Sequence, residues 1–147
     1  MKPRSLVPAC VAAATMALAV IAPARASDLP RTPAPAEAKL YFISPVDGAT
    51  VPKRFEVRFG LRGMGVAPAG IDLEGTGHHH LLIDVQDIDF TSPLPADESH
   101  LHFGKGQTET VLELPPGRHT LQLVLGDHRH VPHDPPVVSE RITITVE

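Results

Sequence analysis

Eight of the nine histidines of this chain lie in three short clusters. They are His78, His79 and His80, then His100 and His102, and finally His128, His130 and His133. Histidine is the commonest metal ligand among the side chains. Two histidines two positions apart on an extended segment point to the same side, about 7 Å apart along the backbone, so both rings can reach one ion. The spacing predicts a metal site, provided that the fold brings the three clusters together.

The alternation of side chains along an extended strand divides these histidines into ligands and others. His78 and His80 share one face, whereas His79 shares the face of Leu81 and Ile83 and is expected in the core. We predict a main ligand set of His78, His80, His102 and His130. The other candidates are His100, His128 and His133 as substitutes or outer partners, Met64 as a soft ligand, and Asp84, Asp127 and Asp134 as orienting carboxylates.

The ligand types limit which metals such a site can hold. The only cysteine, Cys10, lies near the start of the chain, so the candidate site offers imidazole and no thiolate. Imidazole without thiolate suits Cu(II), Zn(II) or Ni(II), and Cu(II) binds most tightly in the usual order. We expect copper or zinc, bound by a carrier, a buffer or a sensor.

A second class of function needs no metal. A surface histidine taken alone is usually just solvated. The segment 128–133 can be a turn held by Asp127 and Asp134, and Met64 can anchor a loop on the core. The histidines would then form a pH-sensitive face of a protein-interaction or ligand-binding module.

A third class, a metal-dependent hydrolase or oxidase with Asp97 or Glu98 as its base, has less support. The chain contains no G-x-S-x-G, H-E-x-x-H or Walker A motif, so we do not expect an enzyme. Its formal net charge is −4, with no basic stripe. That balance argues against a nucleic-acid partner.

The N-terminus has the pattern of an export signal. Lys2 and Arg4 precede an apolar stretch at 7–21, and residues 24–26 form an A-x-A pattern, so we expect cleavage before Ser27. Residues 1–26 are then the signal peptide, 27–37 a Pro/Ala-rich linker and 38–147 the domain. We expect a periplasmic or secreted protein with no membrane span after cleavage. Its partners would be a metal ion and another periplasmic protein. No disulfide is expected, because Cys10 leaves with the signal.

The domain reads as an all-β chain. Apolar residues alternate with polar ones in short runs that are separated by turn residues, and no run shows a helical period. The predicted strands are 40–44, 54–61, 79–85, 108–114, 119–126 and 137–146. About six to seven such strands predict an immunoglobulin-like antiparallel β-sandwich, with Phe55, Val57 and Phe59 buried between the sheets.

Several segments resemble known families. Residues 44–51 and 114–121 resemble the first turn and the penultimate hairpin of bacterial immunoglobulin-like modules. The runs GMGVAPAG at 63–70 and TGHHHLLID at 76–84 resemble the family named domain of unknown function 4399. The segments 102–110 and 130–136 carry the same resemblance, which covers 40–147 in order. It implies an exported bacterial domain and supplies no activity.

An immunoglobulin-like arrangement would gather the three histidine clusters. In that fold the start of the strand at 79–85, the start of the strand at 108–114 and the loop after the strand at 119–126 lie at one end. The three clusters adjoin these positions, and so does Met64. His119 opens its strand at the opposite end and is excluded from the predicted site.

Overall fold

Nine β-strands and no helix form the part of the chain that a computed structural model describes, residues 30–147. The predicted signal peptide at 1–26 lies outside the described residues. The strands are β1 (Lys39–Ser44), β2 (Thr50–Val51), β3 (Arg54–Arg62), β4 (Gly65–Val66), β5 (Thr76–Ile83), β6 (His100–His102), β7 (Glu109–Glu113), β8 (Gly117–Gly126) and β9 (Ile142–Val146). No helix that could span a membrane is present among the described residues.

The strands form two sheets packed as a sandwich. One sheet has the order β1-β3-β7, and the other follows the path β2-β9-β8-β5-β4, with β6 also paired to β5. All pairs are antiparallel except β2 with β9 and β4 with β5. The predicted all-β, immunoglobulin-like sandwich is thus confirmed.

The core between the sheets follows from the side-chain alternation of the strands. In β3 the residues Phe55, Val57 and Phe59 are buried, as predicted, while the intervening Glu56 and Arg58 are exposed. The facing sheet contributes a larger set of buried residues, namely Leu81, Ile83, Leu121, Leu123, Leu125, Ile142, Ile144 and Val146. Each strand therefore turns one face inward, as expected for two stacked antiparallel sheets.

The six-stranded sheet also buries part of its outer face. Leu82 of β5 and Val124 of β8 pack with Leu94 in a second, smaller apolar cluster. Leu94 belongs to the segment 84–99, which connects β5 to β6 across this face. The outer face of β5 is therefore sheltered, which explains why all residues from Gly77 to Ile83 are buried.

Two predicted strands differ most from the structure in their bounds, and the short strands β2, β4 and β6 were not predicted. The strand predicted at 79–85 is β5, which begins at Thr76 and ends at Ile83, before Asp84 with its positive φ of 57°. Of the strand predicted at 137–146, only β9 is regular. The ladder with β8 is interrupted at Ser139, whose hydroxyl accepts the Leu123 N–H at 2.9 Å in place of a backbone carbonyl.

The predicted linker is not free of the domain. From residue 30 onward it lies against the loop after β8, where the Ala34 N–H donates to the Asp134 carbonyl (3.1 Å) and the Asp134 N–H donates to the Thr32 carbonyl (2.9 Å). Thr32 and Arg31 add side-chain contacts to the same loop. We refer to residues 30–34 as the strap.

Candidate metal centre

Four histidines from three separate segments converge on the outer face of the six-stranded sheet. They are His78, His80, His102 and His130, and one ring nitrogen from each lies within 4.8 Å of those of the other three. His78 and His80 are fully buried, His130 is half-buried and His102 is exposed. The main ligand set predicted from the sequence is thus the set that the fold brings together.

Strand register places three of these rings. His78 and His80 project from the same face of β5 because they are two residues apart. His102 of β6 is directly opposite His80 in the antiparallel ladder. On the other side of β5, Gly126 of β8 is opposite His78. The two inner rings therefore lie between an exposed histidine and a glycine.

The fourth ring comes from a turn that imposes an unusual backbone conformation. His130 has a positive φ of 68°, which is uncommon outside glycine and asparagine. The Asp127 carboxylate holds this turn by accepting the N–H groups of Arg129 (2.8 Å) and Val131 (3.0 Å). Burial tends to raise the pKa of Asp127, but these bonds and one from Thr32 outweigh it and lower the pKa below its usual value. Asp127 is therefore a buried anion that fixes the turn.

Two glycines make room for the rings. A Cβ at Gly126 would lie 2.9 Å from Nε2 of His80 and 3.4 Å from Cα of His130. A Cβ at Gly104 would collide with the ring of His102. A glycine inside a strand often marks such a close approach. Any larger residue at either position would displace a member of the cluster.

The ring nitrogens are spaced as metal ligands are. Nε2 of His78 lies 3.0 Å from Nδ1 of His130 and 3.0 Å from Nε2 of His80. A ring nitrogen offers one proton or one lone pair, so this nitrogen cannot form two full hydrogen bonds at once. An ion between the rings could accept a lone pair from each. Ligands of a tetrahedral Zn²⁺ are about 3.3 Å apart when the metal–nitrogen bonds are about 2.0 Å.

Burial and mutual repulsion lower the pKa values of three histidines of the cluster. Burial, followed by the nearby His130 and His102, lowers the pKa of His78 to about 4. Burial, followed by His78 and His102, lowers the pKa of His80 to about 2. The pKa of His102 is also lowered, first by burial and then by His130. Neutral imidazole is the form that binds a metal ion.

His100 and His128, which were predicted as substitute ligands or outer partners, are paired with carboxylates. Nδ1 of His100 lies 2.8 Å from the Asp97 carboxylate, and Nδ1 of His128 lies 3.4 Å from that of Asp72. The register of β6 explains this, because His100 is opposite Leu82 and lies two residues along the strand from His102. Neither histidine belongs to the four-histidine cluster.

His133 and Met64 also lie outside the cluster. His133 is buried, with Nδ1 3.3 Å from the Leu125 carbonyl oxygen and Nε2 3.2 Å from the Thr76 carbonyl oxygen. Both of its nitrogens face the backbone, so His133 ties the loop to β5 and β8. Met64 packs on the core between the sheets.

The three carboxylates expected to orient the ligands act elsewhere. Asp84 lies 2.7 Å from Nδ1 of His119. His119 is at the end of β8 away from the cluster, as predicted. Asp134 forms an ion pair with Arg31. Asp127 acts on the backbone of the His130 turn. None of the three hydrogen-bonds to a histidine of the cluster.

His79 is a core residue, as its parity with Leu81 predicts. Its ring lies 5.1 Å from that of Phe59, between the sheets. Burial lowers its pKa to about 4, and neither ring nitrogen has a hydrogen-bond partner. The backbone of Gln107 is near enough to offset this shift in part without forming a hydrogen bond of normal geometry.

Sequence reasoning missed the residues that support the cluster. Gly126 and Gly104 adjoin histidine-bearing segments, and for Gly126, at the end of a strand pattern, glycine is a known sign of close approach. Asp127 directly follows Gly126, and aspartate commonly holds a turn through its side chain. Arg31 and Thr32 carry no comparable signal, because their partners lie about a hundred residues away in the sequence.

Comparison with known proteins identifies a family and little else. The family described as domain of unknown function (DUF4399) matches residues 57–147. No curated protein matches the chain. Among solved structures, the endo-β-1,4-mannanase from Thermotoga petrophila is 22% identical, with a TM-score of 0.42. That match covers 76% of this chain and 20% of the mannanase, so the chain spans about a fifth of the enzyme's length. The fibronectin(III)-like modules of Clostridium thermocellum CbhA are 11% identical, with a TM-score of 0.33, over 73% of this chain and 92% of theirs.

Proposed function

This chain belongs to the DUF4399 family of domains of unknown function, and we propose that it binds one transition metal ion, copper or zinc, through His78, His80, His102 and His130. The observation that carries the proposal is the convergence of one nitrogen from each ring within 4.8 Å. Three separate segments contribute these rings, so the convergence is a property of the fold and not of a local histidine run.

The environment of the cluster supports a bound ion. The Nε2 atoms of the fully buried His78 and His80 lie 3.0 Å apart. Only one of these two atoms can carry the proton of a hydrogen bond between them, so the other presents a lone pair. An ion between the rings would bind a lone pair from each Nε2 atom. The exposed ring of His102 gives the ion a route from solvent.

Both copper and zinc fit the ligand set. Neutral imidazole is a good ligand for either ion, and Cu(II) binds more tightly at a given nitrogen site. The 3.0 Å separations also suit adjacent corners of a square-planar ion, which are about 2.8 Å apart for bonds of about 2.0 Å. The geometry therefore supports a transition metal that imidazole binds well.

A role in carrying, buffering or sensing the metal fits the site better than catalysis does. Catalytic zinc sites generally have three protein ligands and leave a fourth position to water or substrate. Here four imidazoles are available to fill a tetrahedral shell. We propose that the protein is not an enzyme, and that it acts in the periplasm or outside the cell, where it exchanges its ion with another exported protein.

The alternative, a pH-sensitive interaction face, has weaker support. A histidine switch near neutral pH needs imidazoles that titrate there. Burial lowers the pKa values of His78 and His80 to about 4 and about 2. These two residues therefore stay neutral through the range in which such a switch would operate.

Calorimetric titration of chelator-treated protein with Cu(II) and Zn(II) tests the proposal. The variants should keep the fold, so we choose the exposed His102→Ala and also His130→Asn, since asparagine tolerates a positive φ. The matched controls are His100→Ala on the same strand and His128→Ala on the same loop. We expect one ion per chain, with affinity reduced at least tenfold in the first pair and within about twofold of wild type in the controls.

Two results would contradict the proposal. One is the absence of saturable binding of either ion at micromolar concentration. The other is an equal loss of affinity in all four variants, which would indicate nonspecific binding to surface histidines.

A further inference from the structure

Building on the proposed metal site, we infer that Arg31 and Thr32 of the strap are positioning residues for His130, so that strap docking and ion binding are coupled. Neither residue reaches the cluster. Both bind the loop that carries His130, one at each end of the segment around it.

Thr32 completes the shell of the buried carboxylate at the start of the loop. Its hydroxyl donates to Oδ2 of Asp127 at 2.7 Å. Oδ1 of the same carboxylate accepts the N–H groups of Arg129 and Val131, the two neighbours of His130. The side chain of Asp127 is only 1% exposed, so solvent cannot replace the hydroxyl freely. The other contact of Oδ2 is the longer one to Nη2 of Arg129 at 3.3 Å. Loss of the Thr32 hydroxyl therefore leaves this oxygen of a buried anion with its weaker contact alone.

Arg31 holds the far end of the loop. Its Nε donates to the Pro132 carbonyl at 3.1 Å, and its guanidinium also donates to the His133 carbonyl. The guanidinium lies 3.3 Å from the Asp134 carboxylate. The side chain is 19% exposed, so these contacts are partly shielded from water. The strap therefore anchors the loop at 127 and at 132–134, on both sides of His130.

His130 depends on this anchoring more than the other three ligands do. His78, His80 and His102 project from strands, and their backbones are fixed by ladder hydrogen bonds. His130 lies in a turn with φ of 68°, a strained conformation for a non-glycine residue. Its N–H donates to the Asp127 carbonyl and its carbonyl accepts the Leu94 N–H, so its backbone position depends on the loop that the strap anchors. A loosened loop can relax this φ, which would move Nδ1 away from its 3.0 Å position beside His78. The ion would then keep three ligands and lose the fourth.

Coupling of this kind acts in both directions. If the docked strap raises affinity for the ion, the bound ion must stabilise the docked strap by the same factor. Trypsin cleaves after arginine, and Arg31 can be cleaved only when the strap leaves the loop. Bound ion should therefore slow cleavage after Arg31 more than cleavage after the exposed Lys53, which lies between β2 and β3.

The test uses the full-length exported protein and the metal alone. Thr32→Val removes the hydroxyl at nearly constant volume, Thr32→Ser restores it, and Arg31→Gln removes the charge. Arg141→Gln is the matched control, because Arg141 also donates to a backbone carbonyl and to a side-chain amide, those of Gln86 and Gln122. Affinity is measured by titration, and ligand geometry by the electron paramagnetic resonance spectrum of bound Cu(II).

We expect Thr32→Val and Arg31→Gln each to weaken binding about tenfold, the lower end of the range for residues that orient ligands. Their Cu(II) spectra should shift toward that of His130→Asn, which a general loss of stability would not cause. Thr32→Ser should restore both affinity and spectrum, and Arg141→Gln should match wild type. If Thr32→Val does not fold, the coupling is tested by the Cu(II) spectrum of Arg31→Gln and by the cleavage rates of the wild-type protein.

The failures are distinguishable. If wild type binds no ion, the proposed function is wrong, and this inference with it. If wild type binds but the strap variants keep its affinity and spectrum, the site stands and the coupling is refuted. Equal protection by the ion at Arg31 and Lys53 also refutes the coupling, because it indicates global stabilisation only.

Discussion

Acidification from pH 7 to pH 5 should destabilise the metal-free protein strongly. His78, His79 and His80 are all at most 1% exposed, and burial is the main cause that lowers their pKa values to about 4, 4 and 2. In the unfolded chain the same groups titrate near 6.5. As the pH falls below 6.5 the unfolded chain takes up protons that the folded chain cannot, so the free energy of unfolding decreases.

The magnitude follows from the unfolded value alone, because pH 5 lies above all three folded values. The unfolded pKa lies about 1.5 pH units above pH 5, and each unit lowers the free energy of unfolding by about 1.4 kcal/mol per histidine. Each histidine therefore lowers it by about 2 kcal/mol. The three together cost about 6 kcal/mol, which is comparable to the whole stability of many domains. His119 has the opposite sign. Burial tends to lower its pKa, but Asp84 and the Pro115 carbonyl raise it, so its protonation stabilises the fold as the pH falls and offsets part of the loss.

Urea denaturation of chelator-treated protein at pH 7 and pH 5 measures this difference. His79→Leu is the informative variant, since it removes one of the three buried imidazoles without touching the four-histidine cluster. It should reduce the acid-induced loss by about 2 kcal/mol, and it should leave metal affinity at pH 7 unchanged. A loss below about 2 kcal/mol in the wild-type protein would refute the reasoning, because the three histidines would then be protonated or paired in the folded state.

Four further outcomes are expected. Cu(II) or Zn(II) at about a hundred times its dissociation constant should raise the free energy of unfolding by about 2.7 kcal/mol, measured by thermal or urea denaturation. No change with either ion would favour the interaction module. Lowering the pH from 7 to 6 should weaken metal binding clearly less than the about hundredfold that four unperturbed imidazoles would give. The reason is that His78 and His80, with pKa values of about 4 and about 2, stay neutral over this range, and the pKa of His102 is also lowered. A calorimetric titration at the two pH values measures the change. Gly126→Ala should cost about 1–3 kcal/mol of stability by overpacking against His80, and it should reduce metal affinity at least tenfold. Wild-type affinity in this variant would show that the His80 ring is free to move. Reducing agent should leave the melting temperature of the protein that lacks residues 1–26 unchanged, because the chain beyond Cys10 contains no cysteine.

The sequence by itself placed β1, β3, β5, β7, β8 and β9, and it divided the histidines of β5 between the two faces of the sheet. Alternation in β3 and β5 has a period of two, so it decides which residues face the core without reference to distant parts of the chain. That is why Phe55, Val57 and Phe59 were placed correctly in the core, and why His78 and His80 were separated from His79. The sequence placed His100 and His102 on one face and near one end of the sandwich, which does not separate them. The register of β6 against β5 does, because it places His102 opposite His80 and His100 opposite Leu82 on the sheet face.

Only the tertiary structure decided how the cluster is completed and supported. The positive φ of His130, the room made by Gly126 and the buried Asp127 carboxylate depend on contacts between segments far apart in the sequence. The same is true of His133, which the backbone of β5 and β8 holds away from the site, and of Arg31, whose partners lie about a hundred residues later. Periodicity reports which face a residue takes on its own strand, but loop conformation is set by neighbours that the chain meets only after it has folded.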